Sequence, residues 1–197
     1  MKKNVTICWL RRDLRLDDNA ALYHALKKHS NVLPLFIFES TILEQLDNKS
    51  DRRVQFIHQE ITQLAITLKT EYRSGLLCYY GKPLEIWKKV LSEFTVDAVY
   101  TNHDFEPYAI LRDKAVQDLL AEQSIPFYTY KDHVIFEKSE VTKDDGLPYT
   151  VFTPYSKKWR AKLNDFYARS YPTLKYSFHF LKHESFAIPT LEAMGFS

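Results

Sequence analysis

The hydrophobic and polar positions in the first two-thirds of the chain alternate between two periods. Five short runs are almost continuously apolar or aromatic, as expected for parallel strands that are covered on both faces. These runs are residues 5–10, 32–38, 76–80, 98–101 and 127–130. Between them, apolar residues recur at three- and four-residue steps, which predicts amphipathic helices. Asp18 is the predicted N-cap of the first helix, and Pro83 is expected in the first turn of the third.

Strands that alternate with helices predict a doubly wound parallel sheet, because right-handed crossovers place helices on both faces. We therefore expect an α/β fold with a five-stranded parallel sheet of the Rossmann-like or flavodoxin-like type, followed by an irregular connector. Ligands of such sheets bind beyond the carboxyl ends of the strands. The candidate functional loops are thus residues 11–18, 39–53, 81–83 and 102–108 and the segment after residue 131.

The last third of the chain departs from this alternation. Residues 149–155 are predicted to be extended. Trp159, Leu163 and Phe166 are predicted to lie on a short amphipathic helix, with Trp159 in the core. From residue 171 onward the composition is that of a connector. We therefore predict an α/β domain at residues 1–135, and at 136–197 a hairpin or short helix and a connector toward a further domain.

Composition indicates an ordinary globular protein. The 197 residues suffice for one hydrophobic core, and the net charge of +2 is too small to predict nucleic-acid binding by itself. Cys8 and Cys78 stand without a CxxC motif or a His/Cys cluster, so we expect buried thiols and no metal site. Neither a secretory signal nor a run long enough to span a membrane is visible, which favours a cytoplasmic protein without membrane contact.

Glycine-rich phosphate-binding motifs are missing from this sheet. Only four glycines occur, so neither GxGxxG nor GxxxxGK[ST] is present, and the usual dinucleotide and P-loop functions lose support. The loop after the first strand is dense in charge instead. Around Leu14 and Leu16 it carries Arg11, Arg12, Asp13 and Arg15.

Four segments near the carboxyl-end loops carry a family resemblance: "WLRRDLRLDDNAAL" from Trp9, "DRRVQFIHQ" from Asp51, "NHDFEPYAILRD" from Asn102 and "GLPYTVFTPYSKKW" from Gly146. Together they resemble the DNA photolyase/cryptochrome family, in the amino-terminal domain that binds an antenna chromophore, over about residues 4–165. The resemblance implies a longer parent whose helical domain holds FAD, so the 197 residues look like a fragment. It also implies the parent's activity as a deoxyribodipyrimidine photo-lyase, a flavoprotein that repairs cyclobutane pyrimidine dimers in UV-damaged DNA by light-driven electron transfer.

The resemblance implies positions for the antenna pocket. They are Phe36, Phe38, Glu39, Arg53, Asp104, Glu106, Ala109 and Arg112. Aromatic walls with a few polar groups suit a flat heteroaromatic ligand, and Tyr108-Ala109 replaces the Asn-Glu pair of folate-type members, which favours a deazaflavin or flavin over a folate. The alternative is that the two Phe residues are core and Asp104 is a cap. Because the helix macrodipole disfavours Arg53 in a first turn, we also expect a compensating partner for it.

The resemblance further implies that the charged loop faces the rest of the parent. Arg11, Arg12, Asp13 and Arg15 are expected to form a salt-bridged interface with the connector and the further domain; the alternative is a solvated loop whose ion pairs add little. We expect no catalytic residue in this chain and little or no DNA binding by it. Two alternative functions stay open, the same domain of a cryptochrome light-signalling protein and a stand-alone nucleotide-binding α/β module.

Overall fold

The computed structural model describes residues 2–183 and 186–197. All five predicted strands are present, within a few residues of their expected ends. They are β1 (Lys3–Leu10), β2 (Val32–Glu39), β3 (Leu77–Gly81), β4 (Phe94–Asn102) and β5 (Phe127–Tyr130). The α-helices in the described residues are α1 (Ala20–Lys28), α2 (Ser40–Leu43), α3 (Arg52–Tyr72), α4 (Pro83–Glu93), α5 (Pro107–Ala121), α6 (Phe152–Lys162) and α7 (Asp165–Ala168).

The strands form one parallel sheet in the order β3-β2-β1-β4-β5. The predicted α/β fold is confirmed, and the order is the Rossmann-like one rather than the flavodoxin-like one. From β1 the chain winds outward through β2 and β3 and then returns to place β4 on the other side of β1. The carboxyl ends of β1 and β4 therefore flank the topological switch point, where such sheets bind their ligands.

Helices cover both faces of the sheet and create two hydrophobic cores. On one face, Leu22 of α1 and Ile61 of α3 pack with Leu10 of β1. On the other, Trp87 of α4 packs with Trp9 of β1, with the two rings nearly perpendicular and their centroids 5.5 Å apart. All eight residues of β2 are buried, which explains its continuous apolar pattern.

Helix starts follow side-chain caps, with one difference from the prediction. Asp18 is not the N-cap of α1, because its φ of 48° is left-handed and an N-cap requires extended backbone. Asn19 takes that position, and its side-chain oxygen accepts a hydrogen bond from the Leu22 amide at 3.1 Å. Pro83 begins α4 as expected, since proline tolerates the first helical position.

The segment after β5 contains two departures from the prediction. Residues 149–155 are not all extended, because α6 begins at Phe152. The prediction that Trp159 is a core residue is also wrong. Every residue of α6, which lies wholly in the described part of the chain, is at least partly exposed, since the helix packs beside the loop at Phe136 and not on the sheet. The edge of the Trp159 ring meets Phe136 at a centroid distance of 5.5 Å.

The carboxyl-terminal segment packs against the α/β domain. Phe180 is buried and forms an isolated parallel bridge with Val32 at the start of β2. Met194 and Phe196 join the same core cluster as α1 and α3. The boundary proposed near residue 135 therefore marks the end of the sheet and not the end of its hydrophobic core. Among the helices in residues 2–183 and 186–197, the longest apolar stretch falls short of what crossing a membrane requires.

Candidate functional site

The charged loop after β1 is held by a buried carboxylate. Asp13 is 2% exposed, and its Oδ1 accepts a hydrogen bond from the Arg11 amide at 2.8 Å. Its Oδ2 accepts from the side-chain amides of Asn19 at 2.9 Å and Asn102 at 2.6 Å. Asn102 in turn accepts from the backbone amide of Ala21 at 2.9 Å. Asp13 therefore joins the end of β1, the start of α1 and the end of β4.

The cations of the same loop have partners inside the domain. The pairs are Arg11–Asp113, Arg12–Glu106 and Arg15–Asp132. Arg11 is buried and also donates to the backbone oxygen of Asn102, whereas the side chains of Arg12 and Arg15 are about half exposed. The alternative of a wholly solvated loop therefore fails for Arg11 and Asp13. A contact between this loop and a further domain stays a prediction.

A cavity of about 170 Å³ lies at the carboxyl ends of β1, β2 and β4, at the switch point of the sheet. Seven of the eight residues predicted for the antenna pocket line it: Phe36, Phe38, Glu39, Asp104, Glu106, Ala109 and Arg112. Two residues of the charged loop, Arg11 and Arg12, line it as well. Residues that the family resemblance implies for the antenna pocket thus lie together around one cavity.

The structure adds lining residues that the sequence reasoning missed. They are Ile37, Ile42, Leu43, Ile57 and Tyr108. Ile42 and Leu43 belong to α2, whose four residues are too few to show a helical period. Ile57 was visible as part of the apolar face of α3, but its direction toward the cavity depends on how that helix packs.

One wall of the cavity is aromatic. The rings of Phe36 and Phe38 meet edge to face, with centroids 4.9 Å apart. Both residues are also members of a hydrophobic core cluster, so the alternative that they are core residues is compatible with their lining the cavity. A rigid apolar wall of this kind suits the face or edge of a flat ring.

The polar side of the cavity is a buried ion pair. Arg112 pairs with Glu39 and donates to Asp113 at 2.9 and 3.0 Å. The Tyr108 hydroxyl donates to the other Glu39 oxygen at 2.8 Å. Burial lowers the pKa of Arg112, but its pairing with Glu39 and Asp113 outweighs burial and raises the pKa overall. The guanidinium stays charged, so the pair offers fixed polar groups that orient a ligand.

Arg53, the eighth predicted residue, does not line the cavity. Its side chain is 75% exposed and donates to both carboxylate oxygens of Asp51, the N-cap of α3, the Nη2–Oδ2 distance being 2.6 Å. Hydrogen bonds from the Arg53 side chain and backbone lower the pKa of Asp51 to about 2. Asp51 is the compensating partner that the macrodipole argument required, and it holds Arg53 outside the site.

A larger groove, of about 650 Å³, lies between α1, residues 131–135 and residues 166–172. Arg15 lines it, so the charged loop borders both depressions, and His24 nearby stacks on Tyr130 with centroids 4.3 Å apart. We place the ligand site in the smaller cavity because that one combines an aromatic wall with a buried ion pair at the switch point. Within the described residues, no group of His, Cys, Asp or Glu is arranged to hold a metal ion.

Comparisons with known proteins find relatives of this chain. A family model described as DNA photolyase matches residues 6–175. A deoxyribodipyrimidine photo-lyase of Alkalihalophilus pseudofirmus is 39% identical over 160 residues, which cover 77% of this chain and 32% of that protein.

Two solved structures are similar as well. A class III photolyase from Agrobacterium tumefaciens has a TM-score of 0.76 and 25% identity, over 98% of this chain and 38% of that one. An archaeal photolyase from Sulfolobus tokodaii, described with two FAD molecules, has a TM-score of 0.71 and 28% identity, over 82% of this chain and 36% of that one. The chain thus spans about a third of the length of these relatives, and with the family model covering most of its residues it belongs to the DNA photolyase family.

Proposed function

We propose that this chain is the antenna-binding domain of a deoxyribodipyrimidine photo-lyase. The complete protein would repair cyclobutane pyrimidine dimers in UV-damaged DNA with near-UV or blue light. Membership of the photolyase family and the similarity to a deoxyribodipyrimidine photo-lyase support this proposal. FAD and the repair chemistry belong to the part of the protein beyond this chain, and we assign no catalytic residue to it. Buried free thiols at Cys8 and Cys78 suit the reducing cytoplasm that we propose as its location.

The observation that carries the proposal is the convergence of seven expected pocket residues on one cavity at the switch point. A flat heteroaromatic ring would contact the Phe36–Phe38 wall and take its orientation from Glu39 and Arg112. We propose a flavin or deazaflavin ring rather than a folate, in keeping with the two FAD molecules that the Sulfolobus photolyase carries. Ala109 supports this choice, because it is buried against the cavity and a larger acidic side chain there would fill it.

The size of the cavity limits how such a ring can bind. At about 170 Å³ it is smaller than the roughly 300–1,000 Å³ that encloses a drug-sized ligand. A three-ring system would therefore remain partly exposed, or Tyr108 would turn away from Glu39. Tyr108 lies half-exposed in the first turn of α5. Its movement would cost one hydrogen bond to a carboxylate, about 1.5–3 kcal/mol.

Uptake of FMN or an 8-hydroxy-5-deazaflavin by the 197-residue chain tests the site directly. Ala109→Leu should reduce uptake, because the added side chain occupies the cavity. Ala115→Leu is the matched control, since Ala115 lies on the same helix and does not line the cavity. The geometry also predicts that Arg53→Ala leaves uptake unchanged. Equal uptake by both leucine variants would contradict the site, and reduced uptake by Arg53→Ala would return that residue to it.

Repair by the product of the complete reading frame tests the wider proposal. That product and the 197-residue chain would each be incubated with a thymine-dimer oligonucleotide, in light and in darkness, and the remaining dimer counted. We expect light-dependent repair by the long form alone. A flavin-loaded long form that repairs nothing would favour a cryptochrome or a different lesion.

We also propose that the exposed part of the charged loop faces the rest of the parent. Arg12 and Arg15 are the half-exposed cations of that loop, and the exposed apolar side chains of Val134, Ile135 and Phe166 line the groove that Arg15 borders. In the complete protein, Ile135→Asp should speed proteolytic separation of this domain from the remainder. An unchanged cleavage rate would remove the groove from the interface.

A further inference from the structure

The indole of Trp9 lies close to the candidate cavity behind two cationic side chains. The guanidinium carbons of Arg11 and Arg112 each lie 5.1 Å from the centroid of the Trp9 ring. Both guanidiniums line the cavity, whereas Trp9 itself is buried and is not among the lining residues. Two arginines that contact the buried indole therefore also border the space of the ring that we propose to bind there.

An indole this close to an antenna chromophore can quench its excited state by electron transfer. A photoexcited flavin or deazaflavin is a strong one-electron oxidant, and an indole is a good one-electron donor. Transfer would oxidise Trp9 to its radical cation and reduce the chromophore by one electron, with no bond made or broken, and the reverse transfer would restore both. Each such cycle dissipates the excitation that an antenna must pass on.

We propose that Arg11 and Arg112 protect the excited chromophore from quenching by Trp9. Two positive charges over the indole oppose the formation of a further positive charge on it. The cation–π attraction to the neutral ring is also lost when the ring is oxidised, which adds to the same effect. The inference rests on the proposed function, because it requires a bound flavin-type ring.

Neighbouring carboxylates bind these cations, and their negative charge must be counted when the effect of a substitution on Trp9 is predicted. Asp113 contacts both guanidiniums, and Glu39 contacts that of Arg112. They lower the net charge of the cluster, so the starting balance is not strongly positive. Removing one guanidinium nevertheless makes the surroundings of the indole more negative by one unit charge, whatever that balance is. Oxidation of Trp9 must then become easier.

The test is the fluorescence lifetime of FMN bound to the 197-residue chain. Arg11→Gln should shorten the lifetime of bound FMN several-fold, and Trp9→Phe combined with Arg11→Gln should restore it. Arg15→Gln is the matched control, because it removes a cation from the same loop at a residue that does not line the cavity. Free FMN also fluoresces, so unbound FMN is removed by gel filtration before each decay is recorded, and the comparison then concerns bound FMN alone.

Three results would overturn the inference while leaving the binding site intact. They are an unchanged lifetime in Arg11→Gln with FMN bound, a shortened lifetime that persists in the double variant, and a several-fold longer lifetime in Trp9→Phe alone. The last shows that Trp9 already quenches, and it can be measured even if Arg11→Gln does not fold. Failure of the unsubstituted chain to take up FMN would overturn the proposed site and this inference together.

Discussion

Substitution of Asp13 tests whether the charged loop holds the carboxyl edge of the sheet together. The carboxylate accepts three hydrogen bonds, from the backbone amide of Arg11 and the side-chain amides of Asn19 and Asn102. These donors come from the ends of β1 and β4 and from the start of α1. Asp13→Ala removes both acceptor oxygens and with them all three hydrogen bonds, so the change acts on the junction of three elements.

The expected loss follows from burial of the donors. Asn19 and Asn102 are both buried, so water does not replace the missing carboxylate at either side chain. Each side-chain amide keeps one acceptor, Arg15 O for Asn19 and Asn19 Oδ1 for Asn102, but one N–H of each loses its partner. A buried donor without a partner costs about 1–3 kcal/mol, so two of them put the loss for Asp13→Ala at about 2–6 kcal/mol. This is a large part of the roughly 5–15 kcal/mol that stabilises a typical domain.

Urea denaturation followed by far-UV circular dichroism measures this loss, provided that the m-value stays the same. Asp17→Ala is the matched control, because Asp17 is an exposed carboxylate of the same loop and its loss should change stability by no more than about 0.5 kcal/mol. Asp13→Asn keeps the shape and one acceptor oxygen but turns an amide toward other amides, so we expect an intermediate loss. A cost for Asp13→Ala no greater than that for Asp17→Ala would refute the reasoning.

Three further predictions follow from burial and pairing. Trp87→Ala should lower the free energy of unfolding in urea by about 3–5 kcal/mol, because Trp87 is fully buried. Trp159→Ala should lower it by less than half as much, because Trp159 is only partly buried. Equal losses in the two variants would contradict the packing. Hydrogen bonds from Arg53 lower the pKa of Asp51 from 3.8 to about 2. The ionised Asp51 therefore stabilises the folded state above its unfolded pKa, and this stabilisation is lost as the pH falls from 3.8 to about 2. Asp51→Asn should therefore flatten the decline of stability on acidification, and an undiminished decline would count against the pair. A maleimide at pH 8 should label Cys8 and Cys78 only when the chain unfolds, because both thiols are buried. Burial also raises the pKa of each thiol, that of Cys78 to about 12. Labelling of the native chain as fast as that of the unfolded chain would contradict their burial.

The sheet was predictable because its strands are buried on both faces, which leaves an unbroken apolar run such as β2. The helices that the sequence misplaced lack so clear a pattern. The stretch from residue 149, which leads into α6, combines β-branched and aromatic residues, and such residues favour extended backbone. A helix forms from Phe152 instead, and its Trp159 contacts Phe136 in the neighbouring loop. At the start of α1, Asp18 and Asn19 are both good caps. Only the left-handed backbone of Asp18 decides between them.

The candidate site likewise contains residues that the sequence could bring together and residues that it could not. Phe36 and Phe38 stand two residues apart on one strand, so strand geometry already places both side chains on one face. The pair between Glu39 and Arg112 joins residues far apart in the sequence, and only the position of β1 between β2 and β4 brings them together. Arg53 lies outside the cavity because its side chain has a nearer partner. A carboxylate two residues earlier, at Asp51, was available to bind it.

The paired charges at the switch point also bear on which ligand the sheet can accept. Nucleotide-binding sheets of this topology use glycine there so that backbone amides approach a pyrophosphate. Here the loop after β1 presents side chains instead, and the carboxylates of Glu39 and Asp113 already pair with the nearby guanidiniums of Arg112 and Arg11. A pyrophosphate would have to displace these carboxylates or lie beside them, and like charges at such distances repel. A flat ring of low charge avoids that cost, so the electrostatics of this crevice favour a ring within it, with any phosphate of a flavin nucleotide lying outside it.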